Sequence, residues 1–262
     1  MTGSHRPAVK KYNSGFTLVE MAMVLMIVGL LLGGLLVPLS AQMDQRNSSD
    51  TQKAMSDINE AIIGYALSNG RLPCPANPSD VTGVTSTAGI SRTTCTTAAS
   101  STGVLPWATL GVNETDAWGN RYTYSVTPVF ADAINLNTFG YDNNPTYGCV
   151  STHMCTPSNN PQNASFALCS CGTLNVLSSA TGGTTSAANV PAVIVSAGKN
   201  GAGAWTPQGT QLPASSNSDE KDNSNGNNTF VSHTPTPTFD DLVVWISPNI
   251  LYNRMVAAGK LP

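Results

Sequence analysis

The chain has 262 residues, a length of one or two domains, of which 40% are hydrophobic and only 10% charged. Ordinary soluble domains carry roughly 25% charged residues, so the deficit argues against a solvated cytosolic enzyme and against a charge-driven disordered chain. A formal net charge of -3 argues against nucleic-acid binding by the chain as a whole.

The charge is uneven. Residues 1–15 hold Arg6, Lys10 and Lys11 and no acid, and from Phe16 to Leu39 the single ionisable side chain is Glu20. As a helix this apolar run is about 36 Å long, enough to cross a hydrocarbon core of about 30 Å. The basic cluster before it predicts a cytoplasmic amino terminus, with everything after Leu39 across the membrane. A cleaved secretory signal is shorter, and Leu39-Ser40-Ala41 has leucine where a small residue is wanted. A plain signal anchor fits the length but leaves Glu20 unexplained. A carboxylate in a span costs roughly 2.5–3.5 kcal/mol on insertion scales and usually has a partner. A cut between Gly15 and Phe16 would remove the leader's positive charge. It would also create an α-amine one helical turn from Glu20, able to pair with it in the same subunit or a neighbouring one.

Gly15-Phe16-Thr17-Leu18-Val19-Glu20, after a basic leader and before an apolar run, resembles the class III signal of type IV pilins and type II secretion pseudopilins. The resemblance implies that a prepilin peptidase cuts after Gly15 and methylates Phe16, and that Glu20 guides subunit packing. It also implies an inner-membrane, single-pass precursor with a periplasmic head. That precursor passes through an inner-membrane assembly platform into a filament with other pilin or pseudopilin subunits.

Beyond Pro38 the helix is expected to continue. Met43, Met55, Ile58, Ile62 and Tyr65 fall at helical spacing, and Asn69-Gly70 supplies a stop. The organisation read from this is a leader at 1–15, a helix at 16–70 that spans the membrane at about 16–39, and a head at 71–262. Residues 71–103 read as a surface loop. Asp116-Ala117-Trp118-Gly119-Asn120 is a turn before the alternating strand Arg121–Val126, and strands are expected in 166–177, 192–196 and 241–246. The Ser/Thr/Asn-rich stretches 151–163, 178–189 and 206–238 read as loops. Ser247-Pro248 opens a short helix at about 248–258. The fold class is α+β: a long amino-terminal helix packed on an antiparallel β-sheet head with long loops.

Asp116-Ala117-Trp118-Gly119-Asn120-Arg121-Tyr122-Thr123-Tyr124 is similar to the D-P-W-G-N-x-Y-x-Y stretch of major pseudopilins, with alanine for proline at 117. Ser196-Ala197-Gly198-Lys199-Asn200-Gly201 resembles their S-x-G-x-D-G, with Asn200 in place of the aspartate.

The six cysteines, Cys74, Cys95, Cys149, Cys155, Cys169 and Cys171, all follow the apolar run, as in an oxidising compartment. Six cysteines allow 15 pairings. One choice closes a Cys74–Cys95 loop and lets Cys169 and Cys171, on one face if extended, meet Cys149 and Cys155. A zinc site on the last four is the rival, with His153 nearby. Asp219, Glu220, Asp222, Asp240 and Asp241 form an acidic set beside Asn223. The pseudopilin resemblance implies calcium there, and a solvated loop is the alternative. No hydrolase or nucleotide signature is present, so no enzyme and no further cofactor is expected.

The function expected is a structural subunit of a type IV pilus or type II secretion pseudopilus, a minor one because a bulky, loop-rich head is hard to repeat along a filament. A membrane-anchored adhesin or DNA-uptake minor pilin, whose head binds a ligand, is the alternative. The acidic mature chain disfavours nucleic acid.

Overall fold

The computed structural model describes residues 15–131, 164–168 and 170–261, apart from the side chains at 32, 34–41 and 98. The chain divides into two compact units, 1–46 and 47–262. One helix, α1 (Leu18–Asn69), runs through the boundary and past Pro38.

In the first unit α1 presents its apolar side chains outward: Leu18 is 87% exposed and Met26 69%. Among the described residues no helix is long and apolar enough to cross a membrane. Of the expected span at 16–39, the side chains described are those at 16–31 and 33.

In the second unit α1 supplies the stripe Met55, Ile58, Ile62 and Ala66, all fully or almost fully buried, at the three- and four-residue spacing of one helix face. Met43, expected in the same stripe, is 59% exposed and lies in the first unit. The helix ends where Asn69-Gly70 predicts, with Gly70 at φ 70°, a left-handed turn that glycine adopts without strain.

After α1 come one-turn helix α2 (Ala98–Ser101), strand β1 (Thr102–Val104), one-turn helix α3 (Trp107–Leu110), strand β2 (Thr123–Val126) and one-turn helix α4 (Pro128–Ala131). The remaining elements are β3 (Leu174–Leu177), β4 (Thr185–Val190), β5 (Ala192–Ser196), α5 (Ser218–Ser224), β6 (Thr229–Val231), β7 (Leu242–Trp245) and α6 (Pro248–Ala257). The antiparallel sheet expected is present as four strands in the order β1-β2-β5-β7. A second, three-stranded sheet, β4-β3-β6, was not foreseen, and its β3–β6 pair is parallel.

Strand β5 shows how the layers stack. All five of its residues are buried, because both of its faces are covered. Ala192 and Ile194 join the cluster formed with α1, Tyr124, Phe130, Leu251 and Met255. Val193 and Val195, pointing the other way, pack with Leu174, Val176, Val190 and Phe230 of the second sheet. The four-stranded sheet thus lies between helices on one face and the second sheet on the other.

Two buried polar hubs tie the loops to this frame. Asp116 accepts hydrogen bonds from Ser196 Oγ (2.6 Å), Trp118 N (3.0 Å) and Asn120 N (2.9 Å), joining the two motifs of the head. Arg121, 1% exposed, pairs with Glu114 at 2.8 Å and donates to the carbonyls of Pro78, Asp80 and Pro207. Its guanidinium also lies 4.7 Å from the centre of the Trp107 ring.

Candidate functional site

The amino-terminal site is built by the start of α1. Gly15, Phe16 and Thr17 precede the helix in non-helical conformation, and Phe16 is 79% exposed. A peptide bond outside a helix is open to a peptidase, because no ladder hydrogen bond has to break first. A Cβ placed on Gly15 would meet nothing within 4 Å. Among the described residues nothing therefore requires glycine there.

Thr17 and Glu20 form a capping box that the sequence reading passed over, although T-x-x-E is its signature. Thr17 Oγ1 accepts from Glu20 N at 3.2 Å, and Glu20 Oε2 accepts from Thr17 N at 3.3 Å. Glu20 thus satisfies an orphan amide and places its negative charge at the positive end of the helix dipole.

The second cluster is acidic. Glu220 comes from α5; Asp240 and Asp241 lead into β7. One oxygen from each lies within 4.8 Å of the others. Glu220 is 1% exposed and Asp241 3%. Four amide groups already answer part of the charge. Asn200 Nδ2 donates to Glu220 Oε1 at 2.7 Å, Asp240 N donates to the same oxygen at 3.1 Å, and Asn223 Nδ2 donates to Asp241 Oδ2 at 2.8 Å. Asp240 Oδ2 accepts from Asn200 N at 3.0 Å. Asp240 Oδ1 and Asp241 Oδ1 are buried and have no hydrogen-bond partner among the described residues. Burial, then the charges of Glu220 and Asp240, push Asp241 up to about 8 despite the hydrogen bond from Asn223. Asp240 is raised as well, mainly by burial.

This donor set fits a hard divalent cation: three carboxylates, two buried oxygens wanting a positive partner, and no nitrogen or sulfur ligand. Calcium would be held by Glu220, Asp240 and Asp241. Gly198 stands against the cluster at φ +59°, where a Cβ would lie 2.7 Å from Asp240 Oδ1, so only glycine leaves that oxygen room.

The other two acids of the set point elsewhere. Burial raises Asp219, but hydrogen bonds from Ala180 N, His233 and Ser179 outweigh it and hold the carboxyl below its usual range. Those bonds pin α5 to the β3–β4 turn and to the loop after β6. Asp222 accepts from Asn225 Nδ2 at 2.9 Å.

Cys74 and Cys95 form a disulfide that closes the 74–95 loop. Cys171 is disulfide-bonded too, and no described cysteine is free. Cys149, Cys155, Cys169 and His153 lie outside the described residues.

Residues 10–36 match the family model of the prokaryotic N-terminal methylation motif, the signature of the prepilin signal of type IV pilins and pseudopilins. The match covers the end of the leader and the first part of α1. It implies processing by a prepilin peptidase and assembly with other pilin-type subunits. The chain matches no curated protein and no solved structure.

Proposed function

We propose that the protein is a minor structural subunit of a type IV pilus or type II secretion pseudopilus. It is inserted in the inner membrane through 16–39, cut between Gly15 and Phe16, methylated on Phe16, and drawn into a filament by an assembly platform. The observation that carries this reading is the methylation motif at 10–36, which includes an exposed, non-helical Gly15-Phe16 and the capped start of α1. Membrane partition agrees with the apolar side chains of α1 such as Leu18 and Met26, which the described residues leave exposed. The test is mass spectrometry of the membrane and sheared-filament fractions. An amino-terminal N-methyl Phe16 supports the reading; a mature chain starting at Met1, or after Ala41, overturns it.

The head has no turnover of its own in this proposal. Its acidic cluster takes one calcium ion, which ties α5 to the start of β7. Isothermal titration of the chelator-treated protein with calcium checks this: one site per chain is expected, and no heat or no saturation removes the ion from the proposal.

A further inference from the structure

We propose that the head carries a binding cleft for an uncharged saccharide, between the β1–β2 end of the four-stranded sheet and the α5–β6 segment of the second sheet. The cleft has a volume of about 330 Å³, at the small end of the range of roughly 300–1,000 Å³ for ligand sites. It lies wholly within 47–262 and does not depend on how the amino terminus is processed.

The chemistry of the walls selects the ligand class. Among the described residues no Asp, Glu, Lys, Arg or His lines the cleft. An ionic ligand would give up hydration there and find no lining side chain of opposite charge. The polar side chains are hydroxyls and amides, those of Thr102, Thr123, Gln211, Asn223, Ser224 and Asn225. Such groups donate and accept at once, as the adjacent hydroxyls of a sugar do. Gln211 donates Nε2 to Gly203 O at 3.0 Å, which leaves its Oε1 as an acceptor at the cleft. The Thr102 hydroxyl shares one hydrogen bond with Ser125 at 3.0 Å and keeps accepting capacity.

Trp205 supplies the apolar half of the recognition. It packs against the cluster of Ala76, Val104 and Trp107, which fixes the indole, and it borders the cleft. The C–H face of a sugar ring is apolar and faintly positive, so it stacks on the negative face of an indole. A rigid aromatic beside hydroxyls and amides, without charge, suits a small neutral sugar better than a fatty chain or an anion.

The cleft is also shaped by a close approach that only glycine permits. At Gly203, φ +75°, an added Cβ would lie 2.4 Å from Ser224 Cβ. The chain at 203 and the end of α5 thus lie close enough to form one wall of the cleft. The neighbouring Asn223 is fixed from behind, donating to Val231 O at 3.0 Å and to Asp241 Oδ2 at 2.8 Å. The Asn223 side chain on this wall is therefore held in place before any ligand arrives, which lowers the ordering cost of binding.

The experiment is saturation-transfer NMR on the full-length protein in a detergent without a sugar head group. The probes are lactose, maltose and N,N′-diacetylchitobiose as neutral disaccharides, with sialyllactose as the acidic control. Binding of at least one neutral probe is expected. Trp205→Ala should abolish it, and Thr123→Val should weaken it about tenfold, the effect of one lost hydrogen bond. Gln211→Ala changes an exposed side chain and keeps the test open if the tryptophan variant does not fold; it should weaken binding to a similar degree. Thermal melting confirms that each variant scored is folded. Binding of none of the neutral probes overturns the proposal, as does binding of sialyllactose alone. Neutral-sugar binding left unchanged by the folded variants places the ligand elsewhere and overturns it equally.

Discussion

Glu20 has two tasks that a pair of substitutions separates. In the single chain it caps α1 through Thr17; in the proposed filament it meets the Phe16 amine of a neighbour. Glu20→Gln keeps the capping box, because glutamine serves at that position as well, and removes the charge. Glu20→Ala removes both, including a capping contact worth roughly 0.3–1.5 kcal/mol. Both variants should insert and be cleaved, since Gly15 is intact. Both should be depleted from sheared filaments, alanine more than glutamine, as read by the cleaved subunit recovered there. Wild-type recovery of both would show that Glu20 makes no packing contact. Asp241 gives a second test at this scale. Its folded carboxyl is raised to about 8 from an unfolded value of about 3.9. Between those limits the folded state binds more protons than the unfolded one, so metal-free stability should fall as pH rises from about 4 to 8. Asp241→Asn should flatten that slope and raise the metal-free melting temperature at pH 8, because an amide hydrogen then faces Glu220 and Asp240. It should also weaken the stabilisation by calcium. A melting series at several pH values, with calcium and with chelator, checks each point.

Among the elements, α5 and β4 explain what a periodicity reading overlooks. Helix α5, Ser-Asp-Glu-Lys-Asp-Asn-Ser, has no apolar residue, and its buried positions are Glu220 and Asn223. Those two are three apart, the right spacing for one face, but hydrophobic periodicity is blind to a polar face. The signal that was present is the cap: Asn217 accepts from Asp219 N at 2.8 Å, and acids fill the first turn. Strand β4 is an edge strand exposed over most of its length, so its sequence lacks the alternation that marks a half-buried strand. By contrast β5, buried on both faces, and α6, opened by Ser247-Pro248, were legible at once. The packing of α1 predicts that Ile62→Ala costs roughly 2–4 kcal/mol in denaturant unfolding of the head, the usual range for a fully buried isoleucine. Removing the Cys74–Cys95 bridge by a double serine substitution should cost about 3 kcal/mol on loop-entropy grounds. Hydrogen exchange should then rise first within 75–94, with β5 protected longest.

For the whole molecule the decisive variant is at the leader. Among the described residues nothing would contact a Cβ at position 15, so Gly15→Leu should insert and fold normally yet remain uncut. An immunoblot would show the precursor alone, and no subunit in filaments. Normal cleavage of that variant would show that the site of processing is not Gly15.

The sequence by itself determined the parts whose signals are local. The charge step and apolar run of the amino terminus, the G-F-T-L-V-E motif, the stop at Asn69-Gly70 and the α+β class all rest on neighbouring residues. The tertiary structure alone decided which distant polar groups meet. Asp116 and Ser196 are 80 positions apart, and Glu220 lies 20 before Asp240. Of five acids equally visible in the sequence, the packing of α5 turns Glu220 inward beside Asp240 and Asp241 and turns Asp219 towards Ala180 and His233. The physical reason is that helix rotation sets the direction of each carboxylate. That rotation is fixed by contacts with strands and turns elsewhere in the chain, which no local pattern encodes.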